Sequence, residues 1–136
     1  MTSSGGYPAG RRLKIGDVVS ARFPGHNPRG REQEGFRPAV VVGIPELLGM
    51  PRFAVLLLAP MTSDKGYRWV EQAPTLYPRY PVGAAGLRSD SICLVDQVRA
   101  MSTERIDRYH GSLTTEQYRP IREALERMMG MFGDAP

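Results

Sequence analysis

The sequence predicts a mainly β (α+β) fold: a small antiparallel, barrel-like sheet followed by one C-terminal α-helix. With 136 residues, the chain has about the length of one domain. Short runs of β-branched, aromatic and apolar residues recur along it, separated by Pro and Gly, as is typical of strands. Only the C-terminal segment shows sustained helical periodicity. Since strands and helices do not alternate, a parallel α/β sheet is disfavoured.

The N-terminal part of the chain predicts a leader, a strand and a long loop. Residues 1–12 are rich in Ser, Gly, Pro and Arg and lack periodicity, which predicts a flexible leader before a domain at 13–133. The first strand is predicted at 17–23. The segment 25–35 contains no apolar residue, and a polar insertion of this length more often carries binding or chemistry than connection alone.

The middle of the chain predicts further strands. Two continuous apolar runs, at 37–44 and 53–59, are typical of central strands buried on both faces. The polar segment 61–66 is predicted as a loop and 67–70 as a short fourth strand. Three prolines and two glycines predict an irregular surface segment at 72–86. One or two more strands and a single helical turn are predicted at 91–95, 97–100 and 102–106.

A capping box, formed by Thr114 and Gln117, predicts the start of the C-terminal helix. Pro120 removes a hydrogen bond of the first turns, so the helix either kinks there or begins around it. Gly130 and Gly133 are expected to end it. The methionines near its end are expected to pack in a core or an interface. The apolar residues at helical spacing are Ile121, Leu125, Met128 and Phe132.

The charge balance favours a polyanionic partner. The net charge of +4 and the pI of about 9.6 attract phosphates through Coulomb steering and counterion release. A codon preference for arginine is the alternative explanation, because 16 of the 18 positive residues are Arg.

Several classes of protein and of chemistry are disfavoured. No apolar run is long enough to span a membrane and no signal peptide is present, so a cytoplasmic protein without membrane contact is predicted. The single cysteine, Cys93, cannot form an internal disulfide or a thiolate metal site. The two histidines, His26 and His110, belong to no recognisable ligand set, so neither a metal nor a cofactor is predicted. Phosphate-loop and serine-nucleophile motifs do not occur.

The candidate site consists of polar residues at the ends of the two central strands. Arg37 stands at the start of one strand, and Thr62 and Ser63 follow the end of the next. If these strands pair antiparallel, the guanidinium and the hydroxyl share one edge of the sheet. Both groups donate hydrogen bonds that suit phosphate oxygens. The alternative for Arg37 is a salt bridge to Glu32 or Glu34.

Four blocks of the sequence, in the same order, resemble the MazF/PemK toxin family. They are GDVV at 16–19, GREQ and GFRPAVVV within 30–42, APMTS at 59–63 and GLRSDSICLVDQVR at 86–99. The helix after Leu113 also falls where the family has one. The resemblance extends over about residues 14–131, and four blocks in the right order are far more specific than any one of them.

The resemblance implies an SH3-like antiparallel β-barrel of the CcdB/MazF/PemK kind that acts as a homodimer. It also implies the toxin of a type II toxin–antitoxin system, an mRNA interferase that cuts single-stranded RNA at short sequences without a metal. Attack by the 2′-hydroxyl of the substrate would leave a 2′,3′-cyclic phosphate and a 5′-hydroxyl. The implied partner is a cognate MazE-like antitoxin whose acidic C-terminal tail covers the RNA groove.

Three residues match catalytic positions of the family. Arg37 matches its arginine and is expected to bind the non-bridging phosphate oxygens. Thr62 matches its threonine and is expected to donate to the same phosphate or to the leaving oxygen. Asp96 matches an aspartate that accepts the proton in some members. The alternative for Asp96 is a carboxylate that fixes a turn or pairs with Arg99.

Five further residues are implied in RNA binding. Glu32, Gln33, Ser63 and Gln97 match positions that line the RNA groove of relatives, where amides and hydroxyls recognise the base edges of an unstacked strand. Arg31 departs from the family pattern, which has Ser or His there, and is expected to bind phosphate.

Two other functions stay open on the sequence. One is a CcdB-like toxin that binds DNA gyrase and cuts no RNA. The other is an SH3-like interaction module without an active site. The presence of both Arg37 and Thr62 favours the nuclease.

Overall fold

Seven strands and two helices make up the fold. In the computed structural model, residues 12–25, 30 and 35–131 are described. The strands are β1 (Asp17–Phe23), β2 (Gly35–Gly43), β3 (Val55–Ser63), β4 (Arg79–Tyr80), β5 (Ser91–Cys93), β6 (Arg99–Ser102) and β7 (Ile106–Ser112). The helices are α1 (Arg68–Gln72) and α2 (Thr115–Met128). All but the last residue of the predicted leader 1–12 and most of the polar loop 25–35 lie outside the described residues, so the domain limits 13–133 stay a prediction.

The strands form one sheet in the order β4-β5-β3-β2-β1-β7, and β6 pairs with the first half of β3. All of these pairings are antiparallel. The mainly β fold with one long C-terminal helix is therefore confirmed.

Side chains of β1, β2 and β3 alternate between two cores on opposite faces of the sheet. Because the side-chain period of a strand is two, a slip of one residue would exchange these two sets. The helix-side core joins the sheet to α2 through residues including Val18, Val40, Ala59, Met61, Cys93, Ile121 and Ala124. The barrel core contains Leu13, Val19, Ala21, Phe23, Ala39, Val41, Leu56, Leu58, Met101 and Ile106.

Two expectations for the middle of the chain are wrong. The third strand does not end at residue 59 but continues to Ser63, because its last three residues pair with β5. The predicted strand at 67–70 is instead part of helix α1. One helical turn is enough to bury Val70, the single buried residue of α1, against Ile92 and Leu94.

Strand β7 was not expected from the sequence. Its residues, IDRYHGS, show no apolar alternation, and their strand conformation comes from pairing with β1. The pairing contains two register shifts. The predicted helical turn near 102–106 is confirmed as a 3₁₀ turn at Thr103–Arg105, in which the Glu104 N–H donates to Ser102 Oγ at 3.2 Å.

Helix α2 begins with the predicted capping box. The Gln117 N–H donates to Thr114 Oγ1 at 3.0 Å, and the Thr114 N–H donates to Gln117 Oε1 at 2.9 Å. Pro120 lies inside the helix, which begins five residues before it. The three methionines near the end of α2 are exposed in the isolated chain and so do not join its core.

Asp17 ties the start of β1 to the end of β7. Its buried carboxylate accepts the Lys14 N–H at 2.8 Å and the Ser112 hydroxyl at 2.7 Å, and Ser112 Oγ also lies 2.7 Å from the Tyr109 hydroxyl. A buried donor without an acceptor is costly, so this network stabilises the closure of the sheet.

We expect Asp17→Ala to lower the free energy of unfolding by about 1–3 kcal/mol, because it removes the shared acceptor of two part-buried hydrogen bonds. Asp107→Ala, at an exposed position of β7, is the matched control and should change the stability by less than about 0.5 kcal/mol. Urea denaturation of both variants measures the difference. Equal stabilities would contradict a structural role for the network.

Candidate functional site

The strand register brings Arg37 level with Thr62. Ala39 of β2 pairs with Pro60 of β3, and the same register continued by two residues sets Arg37 opposite Thr62. Residues directly opposite each other share a face of the sheet, and neighbouring strands lie about 4.8 Å apart. The antiparallel pairing of β2 and β3 is confirmed, and the closeness of Arg37 and Thr62 is what its register predicts when it is extended by two residues.

This row of residues continues across two more strands. Thr62 pairs with Ile92 of β5, and Ile92 pairs with Arg79 of β4. Arg37, Thr62, Ile92 and Arg79 thus form one line across the sheet, which we call the cross-strand row. Its two ends carry guanidinium groups, and the Nε of Arg79 lies 3.2 Å from Asp64 Oδ2.

Two prolines give this edge of the sheet its local shape. Pro38 and Pro60 lie inside β2 and β3 and have no N–H to donate to a ladder. The β2–β3 pairing ends at Ala39 and Pro60, just before Arg37 and Thr62. Arg37 and Thr62 are both half-buried.

A groove of about 200 Å³ opens beside Arg37. Three of its lining residues are arginines and one is a histidine, and within the part of the chain that the structure describes no carboxylate-bearing residue lines it. Such a lining attracts anions. The residues of this arginine groove are Ser20, Phe36, Arg37, Pro38, Gly86, Leu87, Arg88, Ser89, Ser91, Arg108 and His110.

His110 enters the groove from a β-bulge. Val18 pairs with Gly111 and Val19 with Tyr109, which leaves His110 without a partner on β1. Bulges of this kind redirect a side chain out of the regular ladder and are frequent beside active sites. The groove residues Arg108 and His110 both come from this irregular strand.

Glycines allow β7 to approach the segment that carries Arg88. A Cβ at Gly111 would lie 2.5 Å from the carbonyl carbon of Ala85, and a Cβ at Gly86 would collide with the carbonyl group of His110. Side chains at these positions would force the two segments apart. The close contact holds Arg88 and His110 on opposite walls of one groove.

The groove lowers the pKa of His110. Partial burial is the main cause, and the positive charges of Arg108 and Arg88 add to it, whereas Asp107 acts in the opposite direction. Burial and neighbouring cations both disfavour the imidazolium. His110 is therefore a neutral imidazole at pH 7, able to accept a proton.

Asp96 is held in a 3₁₀ turn that follows β5. The Tyr77 hydroxyl donates to Asp96 Oδ2 at 2.7 Å, and this bond raises the pKa of Tyr77 to about 12. The Leu94 N–H donates to the Pro60 carbonyl at 2.8 Å and joins the turn to β3, two residues before Thr62. Asp96 itself is exposed, and Gln97 beside it is half-buried.

The predicted site residues fall into three groups. Arg37 and Thr62 are brought together, and Ser63 lies at the rim of the arginine groove, where its Oγ is 3.3 Å from that of Ser89. Asp96 and Gln97 lie on the turn after β5. The other predicted residues, Arg31, Glu32 and Gln33, lie outside the described residues, as does Glu34, the second alternative partner of Arg37.

Sequence reasoning missed the groove residues Arg88, Arg108 and His110. Two of them belong to β7, which has no strand pattern of its own. The only signal in the sequence is the position of Arg88 inside the last of the four family-like blocks. Across the described ranges 12–25, 30 and 35–131, no three His, Cys, Asp or Glu side chains are grouped as metal ligands. The helices in those ranges are too short or too polar to cross a bilayer.

Comparisons with known proteins agree with this fold. The structure of MazF (Form-I) from Deinococcus radiodurans is similar at 23% identity and a TM-score of 0.66, covering 89% of this chain and 99% of that one. The Mycobacterium tuberculosis toxin MazF-mt6 is similar at 16% identity and a TM-score of 0.58, with 83% and 95% covered. An endoribonuclease in complex with its cognate antitoxin from a mycobacterial species is similar at 15% identity and a TM-score of 0.61, covering 88% of this chain and 97% of that one.

Identities at this level indicate a shared fold. No curated protein matches the chain. Residues 14–129, which include every strand and both helices, match the family described as PemK-like, MazF-like toxins of type II toxin–antitoxin systems. The chain belongs to this family of PemK-like and MazF-like toxins.

Proposed function

We propose that the protein is an endoribonuclease that cleaves single-stranded RNA, including mRNA, as the toxin of its toxin–antitoxin pair. The observation that supports this most is the β2–β3 register, whose extension by two residues sets Arg37 opposite Thr62, together with a groove that Arg37 lines with two more arginines. A phosphodiester bound there meets a cation and a neutral donor at one edge of the sheet. A gyrase-binding toxin or an interaction module would need neither group in this arrangement.

The reaction uses the 2′-hydroxyl of the RNA as nucleophile. Its oxygen loses its proton to a base and attacks the adjacent phosphorus, the P–O5′ bond breaks, and the leaving 5′-oxygen takes up a proton from water. The products carry a 2′,3′-cyclic phosphate and a 5′-hydroxyl. Arg37 donates hydrogen bonds to the non-bridging oxygens, where negative charge develops. Because a guanidinium has donors and no acceptor, Arg37 stabilises charge and does not act as the base. Thr62 donates to the same phosphate or to the leaving oxygen.

Two groups are candidates to accept the proton of the 2′-hydroxyl. His110 is neutral at pH 7 and lines the same groove as Arg37. Asp96 already accepts a hydrogen bond from Tyr77, which fits a role in fixing the turn after β5. We therefore assign proton acceptance to His110 and a positioning role to Asp96. Neither role requires a metal cofactor.

The partners follow from the charge of the site. The arginine groove carries three guanidinium groups, which suits RNA and also an acidic antitoxin tail that would compete with it. Similar structures include a MazE-MazF pair from Deinococcus radiodurans. We propose a cognate MazE-like antitoxin, a homodimer as the active form, and action in the cytoplasm. Arg31, Glu32, Gln33, Ser63 and Gln97 are proposed to bind the RNA strand.

Arg37→Ala and Thr62→Ala should each lower the rate of RNA cleavage by about 100-fold or more, because each removes a donor to the developing charge. Cleavage is measured on single-stranded RNA in EDTA, with the ends identified as cyclic phosphate and 5′-hydroxyl. Arg52→Ala and Thr75→Ala, at exposed positions away from the row, are the matched controls. Intact RNA with the native protein would reject the nuclease and favour a binding toxin, whereas full activity of either variant would reject the site.

The rate of cleavage should fall in acid, as pH drops through the lowered pKa of His110. The sign follows from the base form: below that pKa the imidazole is protonated and accepts no proton. His110→Gln should lose most activity and this limb of the pH–rate profile, whereas Asp96→Asn should keep the limb. An unchanged profile in His110→Gln would assign the proton transfer to Asp96.

Arg88→Ala and Arg108→Ala should weaken RNA binding to a similar degree for different RNA sequences, because their contacts are to phosphates. For each variant, the slope of log K against log salt concentration should become shallower by about 0.7. Titrations at several salt concentrations measure this slope, and Arg105→Ala, outside the arginine groove, serves as the control. Slopes equal to that of the native protein would show that neither arginine contacts the RNA phosphates.

A further inference from the structure

Three aromatic rings form a cluster at the surface beside the cross-strand row. The Tyr67 and Trp69 rings are stacked, with centroids 5.1 Å apart and planes inclined by 20°. The Tyr77 ring meets Trp69 edge to face at 5.0 Å and 81°. Trp69 keeps 40% of its surface exposed, so the cluster presents an aromatic surface to solvent. We call these three residues the aromatic platform.

The packing of α1 places the platform next to Thr62. Val70 of α1 packs with Ile92 and Leu94, and Tyr67 and Tyr77 pack against the same cluster. Ile92 is the residue of the cross-strand row that pairs with Thr62. The platform therefore adjoins the row on the face that carries the hydroxyl.

The platform is held in place before any ligand binds. The Tyr77 hydroxyl is fixed by its bond to Asp96, and the side chain of Arg79 lies against both Asp64 and Glu71. A preorganised aromatic surface loses little conformational entropy when a flat ligand stacks on it. Exposed aromatic rings that are grouped and oriented in this way mark an interaction site.

We propose that the aromatic platform stacks an unpaired nucleobase of the RNA substrate, next to the phosphate held by Arg37 and Thr62. This inference rests on the proposed function. Any of the four nucleobases can stack on an aromatic side chain, so the platform would add affinity for RNA of any sequence and fix the path of the strand. The charge that favours a ligand combining flat bases with phosphates over an apolar peptide comes from Arg37 and the arginine groove, because Arg79 is paired with Asp64 and Glu71.

Trp69 is the only tryptophan of the chain, so its fluorescence reports on the platform directly. The probe is a short random-sequence 2′-O-methyl RNA pool, which lacks the nucleophilic hydroxyl and stays intact. We expect saturable quenching of Trp69 as the pool is added to the native protein. An abasic strand of equal length should bind through its phosphates without quenching.

Substitution provides the second readout. By fluorescence anisotropy of the labelled pool, Trp69→Ala should bind roughly 5- to 100-fold more weakly, and Trp69→Phe should keep most of the affinity because its ring still stacks. Phe53→Ala removes an exposed aromatic ring that lies just before β3, at the opposite end of the strand from Thr62. This variant should bind the pool like the native protein. Circular dichroism and thermal unfolding check that each variant is folded.

The possible results separate the two proposals. If the native protein cleaves RNA, while Trp69→Ala binds the pool with native affinity and the pool does not quench Trp69, the platform binds no base and only this inference is overturned. If the native protein leaves RNA intact, the proposed function fails. If quenching occurs with an acidic peptide and not with the RNA pool, the platform is a protein contact and the nucleobase assignment is wrong.

Discussion

Antiparallel pairing between β2 and β3 fixes which side chains of the two strands share a face. The placement of Arg37 and Thr62 depends on this pairing. The register that joins Val40 to Ala59 in the helix-side core, extended past its last pair, sets Arg37 opposite Thr62 at the sheet edge. The two apolar cores hold the register, because a slip of one residue would turn buried side chains to the wrong face. The geometry of the site is thus a consequence of core packing some distance away.

The sequence was sufficient where local pattern and tertiary environment agree. The apolar runs that form β2 and β3 predict buried strands, and Thr114 with Gln117 predicts the start of α2. The sequence was insufficient where the tertiary environment determines the secondary structure. The segment at 67–70 has strand-like composition, yet burial of Val70 against β5 selects a helical turn. Strand β7 exists because β1 offers it an edge, and no pattern in its own residues indicates this.

The same reasoning explains how much of the site could be predicted. Arg37 and Thr62 stand at strand ends, so their proximity follows from an antiparallel pairing that the chain order already suggests. A bulged strand and a close backbone contact bring together Arg88, Arg108 and His110, and neither feature produces a periodic pattern in the sequence. The aromatic platform could not be predicted for a related reason. Its rings come from α1 and the turns beside it, which are brought together by packing on Ile92 and Leu94.

The segment of Arg88 and strand β7 meet at Gly86 and Gly111, where no side chain separates the two backbones. The main chain therefore sets the spacing of these two segments. Substitution of Arg88 or Arg108 can consequently change the charge of the arginine groove without moving the backbone that carries it.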